Sequence, residues 1–333
     1  MKKQLLIIGI TLVLMTVGLS GCTENGGNGG IENVGNGGNA LNTEGKIAFH
    51  RLDYNNHLLK MYLINSDGTD EKYMGEGVYG YPLKWCSYGN KIFFARSNLI
   101  HIINPYENFD ETVYYLPETD ENVIDYGWLP NQNVIYVAYN GLILFVNGDG
   151  GDLLGYNITG NWINQDYRHY YIFSSDGTKI AFKDSDYSSI YSMNLDGTKK
   201  TLLAEYSGRI WLSPDLKKIA KLGLENVLYI SDINGANEIA IEDVLEVGWS
   251  PDSSKIVYCT RSNDLYIINA DGTNKIFIKT FGCGHSVDYE NWSPDIKMFT
   301  FSCSGTIYVV NADGSGSRSI ASEDAYGARW SPS

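Results

Sequence analysis

The sequence predicts an all-β fold, a seven-bladed β-propeller of four-stranded antiparallel blades in which the C-terminal strand completes the N-terminal blade. Three observations carry the prediction. An aromatic anchor followed by a turn recurs at Trp85, Trp128, Phe173, Trp211, Trp249, Trp292 and Trp330, with spacings of 43, 45, 38, 38, 43 and 38 residues. Their mean of about 41 falls in the range typical of propeller blades. Between anchors, short β-branched and aromatic runs alternate with turn residues, and no segment has a convincing helical period. The two ends are complementary halves: the N-terminal unit lacks its anchor strand, and Tyr326-Gly327-Ala328-Arg329-Trp330 is an anchor strand without the rest of a unit. Joined, they make one blade and leave the ring no long open edge.

The elements of one unit follow in order. Residues 249–273 read WSPDSSKIVYCTRSNDLYIINADGT, and residues 292–315 repeat the plan as WSPDIKMFTFSCSGTIYVVNADGS. The anchor strand carries Trp, twice directly after glycine (Gly127, Gly248), as suits a crowded strand near a central axis. Ser-Pro-Asp then turns the chain, Pro fixing φ and Asp bonding back to the backbone. A second strand such as Lys255–Tyr258 and a third such as Leu265–Ile268 follow, then an Asp-Gly hairpin, then a more polar outer strand. The hairpin recurs at Asp67-Gly68, Asp149-Gly150, Asp196-Gly197, Asn234-Gly235, Asp271-Gly272 and Asp313-Gly314, while the second unit offers Asn104-Pro105-Tyr106 instead.

The pattern W-S-P-D-x-x-K-I-x-F followed by L-Y-x-x-N-x-D-G resembles the TolB-type propeller repeat, also found in the propellers of prolyl-oligopeptidase relatives. The resemblance covers residues 44–333 and is clearest in the fourth, sixth and seventh units. It is distinct from the WD40 signature, since here the Trp precedes the first turn. TolB itself carries a further N-terminal domain with no counterpart in this sequence, so the resemblance implies the fold and not the Tol-system role.

The start of the chain reads as a processing signal. Lys2 and Lys3 precede an apolar run, Leu5–Leu19, that is too short for a comfortable membrane span. The run ends at Leu19-Ser20-Gly21-Cys22, which resembles the lipobox of prokaryotic lipoproteins. The resemblance implies that residues 1–21 are removed and that Cys22 is lipidated, for instance by palmitate. That would anchor the protein on the outer side of the cytoplasmic membrane, or in an outer membrane if the host has one. Residues 22–43, rich in Gly and Asn, have the composition of a flexible tether, and residues 44–333 form the propeller domain. Removal of residues 1–21 takes two lysines and no acids, leaving 23 basic side chains against 39 acidic, a net charge of −16. Such a field repels phosphate backbones and excludes nucleic acid as a partner class.

Catalytic motifs are sparse. The sequence has no G-x-S-x-G elbow, Walker loop, H-E-x-x-H or C-x-x-C, so the expectation is a protein that is not an enzyme and needs no cofactor. The topology puts the Ser-Pro-Asp and Asp-Gly turns on one face and the irregular connections on the other, where binding residues usually reside. Candidate ligand-binding residues on that loop face are Tyr79, Tyr81, Asp125, Tyr126, Trp162, Tyr167, His169, Asp288 and Tyr289. Trp162 is the one tryptophan outside the anchor positions, either a platform for a sugar ring or peptide side chain or a plug for its own loop. Cys283 is expected to pair with Cys303 or Cys259, with free thiols as the alternative. A weaker reading makes Cys283 and His285 metal ligands. The favoured function is a lipid-anchored, noncatalytic binding or scaffold module engaging a protein or glycan. Two others stay open: a polysaccharide lyase or glycosidase built on converging carboxylates such as Asp125 and Asp288, and a structural envelope component.

Overall fold

The computed structural model describes residues 45–53, 58–77, 83–86, 89, 91–96, 99–106, 109–115, 123–139, 142–147, 171–183, 189–206, 208–280 and 292–332. These residues form seven antiparallel sheets, five with four strands and two with three, numbered blades 1 to 7 with their innermost strands ending at or beside Trp330, Trp85, Trp128, Phe173, Trp211, Trp249 and Trp292 in turn. Blade 6 is the pattern for the rest. Val244–Trp249, Lys255–Thr260, Asp264–Asn269 and Ile276–Thr280 follow one another from the inside to the outside of the sheet. The anchor Trp249 ends the innermost strand opposite Ile256.

Blade 1 closes the ring as the two half-units predict. Ala325–Trp330 pairs with Lys46–Asp53, Ile47 facing Trp330 and Arg51 facing Ala325. Leu58–Asn65 and Lys72–Gly77 complete that sheet. The first and last described segments are therefore hydrogen-bonded neighbours.

Each blade is apolar on both faces and is covered by its neighbours. Blades 1 and 2 share Leu63, Leu83 and Phe94, and blades 3 and 4 share Ala138, Ile143, Phe173 and Phe182. Blades 4 and 5 meet through Ile190, Ile210 and Ile219, blades 5 and 6 through Ile230, Val247 and Tyr258. Blades 6 and 7 share Leu265, Trp292 and Phe301, and blades 7 and 1 share Ile307, Val309, Phe49 and Trp330. Between blades 2 and 3, Phe93 meets Tyr126 edge-on at 4.7 Å and Trp128 at 6.3 Å. Burying one large apolar side chain contributes about 1.5–3 kcal/mol, so seven such seams hold the ring together with no single central core.

Two features were not legible beforehand. The outer two strands of five blades slip register next to the third-strand aromatic or histidine, at Met61/Tyr62, Ile100/His101, Ile190/Tyr191, Leu265/Tyr266 and Ile307/Tyr308. These bulges raise the local twist of each blade. A short 3-10 turn, Leu224–Asn226, joins the second and third strands of blade 5, with Glu225 and Asn226 at positive φ. The crowding expected at Gly127 is real but comes from its own blade. A Cβ there would lie 2.9 Å from the ring of Tyr136, its partner in the next strand.

Candidate functional site

The Ser-Pro-Asp turns build one rigid face. In blade 5, Ser213 Oγ donates to Asp215 Oδ1 at 2.7 Å and accepts from Lys218 N at 2.9 Å, while Lys217 N donates to the same carboxylate at 3.1 Å. The same arrangement recurs around Ser174–Asp176, Ser250–Asp252 and Ser293–Asp295. Hydrogen bonds from Ser174 and Thr178 hold the Asp176 carboxyl below its ordinary range. In the Asp-Gly hairpins, the Thr273 hydroxyl and N–H do the same to Asp271. These carboxylates serve their own turns, and the same chemistry rescues the irregular second blade, where Asn104 Oδ1 accepts from Tyr106 N at 3.0 Å.

Turns are also bonded to turns across the blades. Asn131 Nδ2 donates to Ser175 O at 2.9 Å, Ser175 N to Pro214 O at 2.7 Å, and Asp215 N to Ser253 Oγ at 3.1 Å. Indole groups bridge the inner strands: Trp249 Nε1 donates to Trp211 O at 3.1 Å, and Trp85 Nε1 to Arg329 O at 3.0 Å.

Inside this rim lies a cavity of about 420 Å³. Every blade contributes to it, with Trp85, Trp128, Phe173, Pro214, Pro251, Trp292 and Trp330 supplying one wall each. Residues from the inner ends of seven blades can share one cavity only at the axis of the ring, so it is the mouth of the axial channel on the turn face. Its lining is aromatic rings and turn prolines, with Lys84 and Arg329 as its charged members. Among the described residues, no acidic side chain lines it. The Nε1 donors of Trp128, Trp292 and Trp330 have no hydrogen-bond partner among the described residues, although these side chains are more than nine-tenths buried. These nitrogens are closed off from the cavity as well as from solvent, so they belong to the packing between blades.

The expected loop-face site fares differently. Tyr126 is 1% exposed and packs on Phe93, which makes it a core residue of the blade 2–3 seam and corrects its expected place on a binding loop. Asp125 lies within the strand Val123–Trp128, where the ladder to Tyr139 and Ala138 slips register, rather than in a loop. Tyr79, Tyr81, Trp162, Tyr167, His169, Asp288 and Tyr289 lie outside the described residues, as do Cys22, Cys283 and His285. Sequence reasoning passed over the cavity because its aromatics and prolines read as repeat anchors. Lys84 and Arg329 stand directly before two of those anchors, and that adjacency was the available clue.

Cys303 is disulfide-bonded, to a partner outside the described residues. Cys86 and Cys259 are buried and in no disulfide, and burial pushes the Cys259 thiol up, away from the reactive thiolate. In a variant with Cys22 replaced by Ala, thiol titration is expected to find two thiols in denaturant without reductant and four after reduction. Four thiols before reduction would remove the disulfide.

No family model matches the chain, and no curated protein matches it. Solved structures do. TolB from Acinetobacter baumannii is similar over 87% of this chain and 67% of its own, at 15% identity and a TM-score of 0.49. A chain in a mitotic checkpoint complex covers 73% of this chain and 77% of its own, at 15% identity and a TM-score of 0.54. Kluyveromyces lactis Hsv2 covers 83% of this chain and 100% of its own, at 10% identity and a TM-score of 0.50. At such identities the likeness speaks for the propeller fold alone.

Proposed function

We propose that this protein is a noncatalytic binding module of the cell envelope, lipid-anchored through Cys22, that holds an extended segment of a partner protein in its axial cavity. The observation that carries the reading is the cavity itself, shared by all seven blades and lined by aromatic rings, prolines and two cations. Aromatic and proline surfaces accept extended peptide backbones. Lys84 and Arg329 add a preference for a carboxylate in the segment. Among the described residues, the cavity lining supplies no pair of acids for glycoside chemistry, and no group of three metal-ligating side chains occurs.

The test is a screen of the purified protein against peptide and glycan libraries, with a parallel hydrolase assay. The binders found are then measured against Pro251→Arg, which places a bulky side chain at the mouth. Pro251→Arg is expected to weaken a peptide binder at least about tenfold, about 1.4 kcal/mol, with little change in unfolding midpoint. Turnover of a polysaccharide, or peptide binding indifferent to the substitution, overturns the reading.

A further inference from the structure

The chain joins the ring at the rim of the axial cavity. Ser66 N donates to Gly45 O at 2.9 Å, and Ser331 N donates to Lys46 O at 2.8 Å. Gly45 is packed so closely on the cavity-lining Trp330 that a Cβ would fall 2.4 Å from the indole. Lys46 starts a second strand and faces Asn65, which opens the Asp67-Gly68 hairpin, so this point lies on the turn face. The residues before it, 23–43, are rich in Gly and Asn.

We infer that the turn face is the membrane-facing side of the particle, and that the segment filling its cavity belongs to a protein held in the same membrane, a juxtamembrane stretch rising from the bilayer. The inference rests on the proposed anchoring and binding, and it goes further by fixing the direction from which the partner comes. An anchor at Cys22 would join the ring at Gly45, beside the cavity, so the face drawn toward the bilayer is the one that carries the mouth.

The experiment holds the chain on vesicles without using lipidation. Residues 1–22 are replaced by a histidine tag, and the protein is bound to phosphatidylcholine vesicles containing a nickel-chelating lipid. Two single cysteines are compared, Ser175→Cys at the cavity rim and Leu224→Cys on the opposite face, where Leu224 is 91% exposed. A polymer-bearing maleimide is expected to modify the rim cysteine several-fold more slowly on vesicles than in solution, and Leu224→Cys equally fast in both. Slowing of Leu224→Cys instead, or of neither, overturns the orientation and with it the juxtamembrane partner. Lipidation itself is read separately, from the mass of the N-terminal peptide, so the two ideas fail independently.

Discussion

Deletion of residues 326–333 is expected to leave a chain with no cooperative unfolding transition. The segment supplies most of the innermost strand of blade 1 and pairs with Lys46–Asp53. Trp330 is 4% exposed, and with Ala325 and Ala328 it fills the seam between blades 7 and 1 beside Ile307, Val309 and Phe49. Truncating one such Trp costs about 3–5 kcal/mol by itself. Losing the ladder, the Ser331–Lys46 bond and the cover over two blades then exceeds the about 5–15 kcal/mol that folding usually leaves. Circular dichroism and calorimetry of the truncated and intact chains decide the matter. A sharp transition at the intact midpoint would mean that ring closure contributes nothing to the fold.

That closure was legible because the repeat is written in chemistry that cannot be moved. A Trp strand needs its turn, the turn needs Pro and Asp, and a half-unit at each end has only the other to complete it. Blade 4 shows the limit. Its anchor is Phe173 rather than Trp, yet Ser174-Ser175-Asp176-Gly177 turns as the Ser-Pro-Asp units do, so position outweighed identity. The site was less legible. Loop-face residues were singled out for being acidic and aromatic, and Tyr126 shows how that fails. Its ring has the composition of a platform, but its place in the strand Val123–Trp128 turns it into the seam toward Phe93. Conversely, the axial cavity is assembled from residues that each have a structural reason to be present. Only their convergence from seven blades makes a site, and convergence at an axis is a property of the closed ring that one repeat does not display.

Acidification through the window from about pH 6.5 to about pH 4 is expected to destabilise the protein by up to about 3 kcal/mol through His50 alone. His50 lies on the closing ladder opposite Tyr326, is 3% exposed, and has its ring 6.0 Å from the Tyr326 ring. Burial first, and then the Arg329 charge, lowers its pKa from 6.5 to about 4. The unfolded chain therefore binds a proton at this position between those values and the folded chain does not. Stability is full above pH 6.5 and is lost progressively until the folded group itself titrates near pH 4. The turn aspartates act in the same direction but later. Their carboxyls are held below 3.8 by hydrogen bonds, as for Asp176 and Asp271, so their contribution is lost only on further acidification. The two windows separate the causes. Urea midpoints measured from pH 7 down to pH 4 should fall for the natural protein and stay nearly level for His50→Leu, with both chains losing stability below that range. Equal slopes in the upper window would show that His50 is protonated in the folded ring, and would place the acid sensitivity of the closure elsewhere.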